Sequence, residues 1–195
     1  MATYGGYPQA AKNRAKAALK HKEEKGTSCG TSVGWTRARQ LSTGQKLTLS
    51  TVKRTFSFLS RAKTYDQGKF TNDKGKDICG SIMYAAWGGD SMKGWCERTI
   101  NKAEKEKRAA ADTLKKKAED HNEGVDVTYK KTTKATLQKV YNRGIGAYKT
   151  NPGSVRPSVK SPEQWAFARV NSYLYALKNE KFRGGKHDTD LFPKG

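Results

Sequence analysis

Apolar positions recur mostly at helical spacing along this chain, and the elements they predict are helices. The first covers about Pro8 to Lys25. Ala10, Ala11, Ala15, Ala18 and Leu19 make a small-residue face, and Lys12, Arg14, Lys16, Lys20 and Lys22 cover the rest. Gly26 ends it. A short second helix, near Gly34 to Leu41, is expected to bury Val33, Trp35, Ala38 and Leu41, with Arg37 and Arg39 directed elsewhere and Gly44 after it. In "KLTLSTVKRTFSFLSRAK", Thr48 or Ser50 can cap a third helix by accepting a backbone N–H. Leu49, Val52, Phe56 and Leu59 share one face of it, while Lys53, Arg54, Arg61 and Lys63 lie off that face. After a polar loop, Asp77 can cap "ICGSIMYAAW", which is apolar nearly all round and reads as the core helix of this region. Asp90 can cap the next helix, which carries Met92, Trp95, Cys96 and Ile100.

From about Trp95 to Asp120 the pattern turns polar. Glu104 with Arg108 and Asp112 with Lys116 stand at i,i+4 in the favourable order, which predicts a continuous solvated helix acting as a spacer. Gly124 breaks it. From Thr132 the apolar face returns, with Leu137, Val140, Tyr141, Ile145 and Tyr148 on one side of a helix that Gly144 and Gly146 weaken or allow to pack closely. Pro152, Gly153 and Pro157 then mark a stiff loop. Ser161, Pro162 and Gln164 spell a helix start: a cap, a proline at the first position and a capping-box glutamine. Trp165, Ala166, Val170, Tyr173, Leu174 and Leu177 follow at helical spacing, and "NEKFRGGKHDTDLFPKG" reads as a surface tail. The expected fold is all-α: a helical module over 1–98, a charged helical linker and loop over 99–131, and a second helical module with its tail over 132–195.

Composition narrows the partners. The chain has 195 residues, with 39 basic and 18 acidic side chains, a net charge of +21. Self-repulsion on that scale points to a polyanionic partner. The excess sits at the ends: +11 over residues 1–65, +2 over 66–131 and +8 over 132–195. No run approaches the roughly 18 apolar residues of a membrane span, so no membrane association is expected. The start of the chain has no apolar block behind its charges, which argues against a secretory signal. Cys29, Cys79 and Cys96 are odd in number and lack a CxxC pair, and His21, His121 and His187 are far apart. That predicts neither a disulfide framework nor a zinc site, and suits a reducing compartment.

No nucleophile motif, metal-protease helix, phosphate loop or paired carboxylates on one helix stands out, so an enzyme and a cofactor are not expected. Asp188 and Asp190 in "HDTD" could hold a cation, or form a turn or docking contact. Binding to backbone phosphates through Lys and Arg fits the charge. The candidates are Arg37, Arg39, Lys53 and Arg54 in the first module, and Arg143, Lys149, Arg156 and Lys160 in the last. The second and third predicted helices, with Gly44 between them, have a helix-turn-helix outline. Arg156 and Lys160 stand in the proline-stiffened loop before a helix start, a combination that could form a shelf for an anion or serve only to shape a surface loop.

The phrases "PQAAKNRAKAALKHKEE", "TSVGWTRARQLSTG", "LSTVKRTFSFLSR" and "YAAWGGDSMKGW" resemble a small helical domain of tailed-phage proteins of unknown function. "VYNRGIGAYKTNPGSVRPSVKSPEQWAFARVNSYLYAL" with "GKHDTDL" resembles a second phage-associated domain. The two cover 8–98 and 136–191. The resemblance implies a phage origin and a place in the virion or the host cytoplasm, and it carries no catalytic residues. The expectation is a non-enzymatic, virion-associated protein that binds nucleic acid, or another polyanion, without sequence preference. The second expectation is a capsid-assembly or accessory protein of the phage head that touches capsid proteins only.

Overall fold

The computed structural model describes residues 3–151, 153, 155 and 158–193. Among these, seven α-helices and one two-stranded sheet make an all-α protein. The chain divides into two compact units, 1–105 and 106–195.

In the first unit, α1 spans Gln9–Lys25, α2 Ser32–Thr43, α3 Leu49–Ala62 and α4 Cys79–Ala86. Helix α5, Gly89–Glu123, begins here. Strands β1 (Thr3–Tyr4) and β2 (Leu47–Thr48) pair antiparallel, with Tyr4 opposite Leu47. The small face of α1 is real: Ala11, Ala15 and Ala18 are fully buried, so α2 and α4 can approach its backbone closely. Trp35, Ala38 and Leu41 are buried from α2, and Val52 and Leu59 from α3, joined by Ile82, Tyr84, Met92 and Cys96. The Tyr7 hydroxyl donates to the Gln40 carbonyl at 3.0 Å, with the Gln45 carbonyl equally near. Thr48 caps α3 by accepting from the Thr51 N–H.

Four expectations change. Val33 is 62% exposed, because α2 begins at Ser32 and places it outside the buried stripe. Asp77 does not cap α4; it accepts from Thr27 and meets His21 Nε2 at 2.8 Å. Asp90 lies in the first turn of α5, where the Tyr84 hydroxyl donates to it at 2.7 Å and Lys63 pairs with it at 2.5 Å. Finally, Cys29 and Cys79 form a disulfide. An odd cysteine count argues against a framework of several bridges but says nothing against a single one. Cys96 is the remaining thiol; burial pushes it up to about 12, against a smaller opposing pull from Arg37.

The second unit takes the end of α5, then α6 (Lys134–Thr150) and α7 (Pro162–Asn179). Leu114 and Ala118, in the stretch read as a linker, are buried with Leu137, Val140, Tyr141, Ala166, Val170 and Tyr173. Asn122 ties the following loop, exchanging two 2.8 Å hydrogen bonds with the Thr132 backbone. Gly144 stays helical and sits against Ala166, where an added Cβ would lie 2.6 Å from the Ala166 Cα. Ser161 caps α7 by accepting from the Gln164 N–H at 3.1 Å. Gln164 reaches back to the Lys160 N–H at 2.9 Å, one residue before the expected capping-box donor. The C-terminal stretch is not a free tail. The Tyr173 hydroxyl donates to the Leu191 carbonyl at 2.8 Å, and Phe192 packs edge-on against Tyr173.

Candidate nucleic-acid interface

Helices α2 and α3 bring Arg37 and Arg54 close enough to repel each other. Arg37 is half-buried. Its guanidinium lies 5.5 Å from the centre of the Trp87 ring, its Nη1 donates to Gln40 Oε1, and its Nε is buried with no partner. Burial first, and then the charge of Arg54, lower its basicity, against smaller opposing effects of Cys96 and Tyr7. A cation desolvated beside a second cation is a costly arrangement unless an anion relieves it. Arg54 is exposed beside it. Lys53, one residue away, pairs with Glu104 at 3.0 Å. Arg39 lies elsewhere on α2, where with Lys22 it lines an open cleft of about 390 Å³.

The second unit treats its candidates differently. Arg143 Nη1 and Nη2 each donate to an Asp190 oxygen at 2.7 Å, and Nη1 also donates to Asp188 Oδ1 at 3.0 Å. These bonds, those from Asp190 first, raise its basicity further. Arg143 is thus engaged within its own unit and is not a free phosphate contact. Lys149 and Lys160 are exposed. Arg156 lies outside the described residues, as do Pro152 and Pro157 of the expected anion shelf. Tyr148 is half-buried.

Asp188 is the centre of the second unit's polar network. Its side chain is fully buried. Arg169 Nε donates to Oδ2 at 2.7 Å, and Arg169 Nη2 to Oδ1 at 3.2 Å. Burial alone would raise its carboxyl, but hydrogen bonds from Arg169, His187 and Arg143 outweigh that and hold it below the ordinary range. His187 Nδ1 meets Asp188 Oδ2 at 2.9 Å, and His187 Nε2 meets Ser172 Oγ at 2.9 Å. A carboxylate only accepts, so Nδ1 carries the proton, and in the neutral ring Nε2 accepts from Ser172. The order Ser–His–Asp matches that of a nucleophilic triad. Yet two guanidiniums already match the Asp188 charge that would have to stabilise an imidazolium. Ser172 also sits mid-helix in α7, without the sharp turn that exposes a nucleophile. The network reads as a clasp that docks the end of the chain on α6 and α7.

Of the two readings of Asp188 and Asp190, a cation or a docking contact, the arginine bonds match the docking contact. Among the described residues no three or more His, Cys, Asp or Glu side chains are grouped so as to hold a metal ion. No helix among them is long and apolar enough to cross a membrane. Sequence reasoning missed Lys22, Arg169, Ser172 and His187. Only Lys22 and Arg169 carried a signal, as unassigned cations on predicted helices.

Residues 91–191, just over half of the chain, match a family described as "Family of unknown function (DUF5824)". No curated protein matches the chain, and no solved structure does.

Proposed function

We propose that the chain, which belongs to this family of unknown function, is a non-enzymatic phage protein that binds nucleic acid through backbone phosphates. The observation that carries this is the Arg37–Arg54 pair: two guanidiniums from different helices, neither in an ion pair among the described residues, one with a buried donor lacking a partner. The net charge of +21 supports a polyanionic partner. Lys149 and Lys160 in the second unit and Arg39 in the first add exposed charge. Resemblance to tailed-phage proteins supports a place in the virion, beside the packaged genome.

The test is binding of a labelled duplex and its single strand across a salt series. Affinity should fall log-linearly with salt and depend little on base sequence. Arg54→Ala removes one phosphate contact and should flatten the slope by about one. Absence of binding at low salt would sink the proposal. It would favour the alternative, an accessory protein of the phage head that touches protein only. The surface for that reading is the apolar groove of Phe58, Tyr65 and Met83, where Tyr65 is 67% exposed.

A further inference from the structure

The cleft that holds Arg39 is a separate feature from the Arg37–Arg54 pair. Its walls come from the end of α1, the loop Thr27–Thr31 and α2 as far as Arg39. Two cations, Lys22 and Arg39, line it beside the hydroxyls of Ser28, Thr31, Ser32 and Thr36, and among the described lining residues there is no Asp or Glu. Thr31 Oγ1 accepts from the Gly34 N–H at 3.3 Å, so its own proton remains to be donated. The start of α2 also lines the cleft, and the positive end of a helix dipole favours an anion, although the Gly34 N–H is already taken by Thr31. The charged side chains of the cleft are therefore both cations, and its hydroxyls can donate to an anion.

The rim is held from several sides. The Trp35 indole donates to the Cys29 carbonyl at 3.0 Å, and Thr27 donates to Asp77. Gly30 has φ +84°, a conformation that strains any residue with a Cβ, and a Cβ there would also displace the tip of Met83, 2.2 Å away at Sδ. The Cys29–Cys79 disulfide then ties the loop to the start of α4. Lys22 is steadied as well, its Nζ 4.4 Å from the centre of the Trp35 ring. A rim fixed before binding loses little entropy when an anion arrives.

We propose that this cleft seats a backbone phosphate of nucleic acid, with Lys22 and Arg39 as its cations, and that the Cys29–Cys79 disulfide holds its rim in the binding shape. The proposal rests on the phosphate-binding function above and assigns it a second contact with a redox latch. Cys79 is exposed, so a small dithiol can reach the bridge. In thiol–disulfide exchange the dithiol gives up two electrons and two protons and closes to its own cyclic disulfide, and Cys29 and Cys79 become thiols. The loop then loses its covalent tie.

The experiment measures anisotropy of a fluorescent duplex against salt for the full chain. Lys22→Ala with Arg39→Ala should flatten the slope by about one, the share of the single phosphate seated there. A control of equal charge, Lys74→Ala with Lys76→Ala on an exposed loop, should flatten it less. Equal losses in the two double variants, or none in the first, overturn the cleft. Treatment of the wild type with dithiothreitol should weaken binding at unchanged helical circular dichroism, and unchanged affinity after complete reduction overturns the latch. If reduction also unfolds the protein, Gly30→Ala displaces the rim with the bridge intact, and wild-type affinity in that variant overturns the latch. A wild type that binds no duplex fails the general proposal. Loss of slope in Arg54→Ala without loss in Lys22→Ala/Arg39→Ala fails the cleft alone.

Discussion

Two glycines two residues apart on α6 should respond in opposite directions to the same substitution. Gly146 is exposed, and an added Cβ would meet nothing within 4 Å. Gly146→Ala gains only the helix preference of alanine over glycine, about 0.5–1 kcal/mol. At Gly144 the same Cβ would lie 2.6 Å from the Ala166 Cα and 3.0 Å from its Cβ. The obstacle is the backbone of α7, which cannot swing aside as a side-chain tip can. Helices α6 and α7 must separate across their main contact, and overpacking of this kind costs about 1–3 kcal/mol. Subtracting the helix preference leaves Gly144→Ala destabilising by up to about 2.5 kcal/mol, and the two variants about 1–3 kcal/mol apart. Urea unfolding followed by circular dichroism reads both numbers. The midpoint should rise for Gly146→Ala and fall for Gly144→Ala, with the slope constant. Equal stabilisation by the two substitutions would refute the claim that Gly144 is where α6 and α7 touch.

Other outcomes follow from the same geometry. Leu114→Ala removes a fully buried side chain from the second core and should cost about 2–5 kcal/mol in urea unfolding. Asp188→Asn should cost about 3 kcal/mol, the low end for a broken buried pair, because Arg143 and Arg169 keep some access to solvent. The folded Asp188 carboxyl is held below its ordinary range, so its stabilisation is full above the unfolded pKa of about 3.9 and is lost as pH falls through the folded value. Acid unfolding of the wild type should therefore be steeper below about pH 4 than that of Asp188→Asn. Native protein should show no reactive thiol at neutral pH and one on unfolding, that of Cys96; three thiols on unfolding without reductant would contradict the bridge. Arg143→Ala should lower stability and leave the salt slope of binding unchanged, while Arg54→Ala should do the reverse.

The helices were legible because their faces repeat. Ala11, Ala15 and Ala18, or Val52 and Leu59, give the period several chances to show. Leu114 did not, because a single leucine in "AAADTLKKKAED" is no periodic face. Its partners are Ala110 and Ala118, four residues to either side, and alanine also serves as a solvated helix former. Local chemistry was legible where it stayed local: Thr48 and Ser161 cap as read. Asp77 and Asp90 also carried the composition of caps, but each is drawn to a partner distant in sequence, His21 or Lys63. In a chain with about two cations per carboxylate, an acid near a helix start has strong competitors for its charge. The Cys29–Cys79 bridge spans 50 residues, and His187–Ser172 joins the end of the chain to α7. Neither leaves a mark at short spacing, so folding had to bring them together before either could be read.

That scarcity of carboxylates also sorts the cations nominated from sequence. A basic side chain next to a carboxylate has part of its charge matched, and a phosphate must displace or share that partner. Arg143 is the strongest case, with a two-pronged contact to Asp190 and a third bond to Asp188. Lys53 with Glu104 is a weaker one, since both side chains are about half exposed and such pairs are worth only about 0–1 kcal/mol. Arg37, Arg39, Arg54, Lys149 and Lys160 make no ion pair among the described residues. Three of these five stand on α2 and α3, and they face two different surroundings: a half-buried Arg37 beside Trp87 with the exposed Arg54 near it, and an open cleft of hydroxyls. An isolated exposed lysine needs no partner, because water solvates it. Arg37 is different, because burial has removed part of its water while a second guanidinium adds repulsion. If the chain binds phosphates as proposed, an anion at these two guanidiniums would relieve that repulsion, so the tightest contact of the first unit is expected at Arg37 and Arg54 rather than at the more exposed lysines.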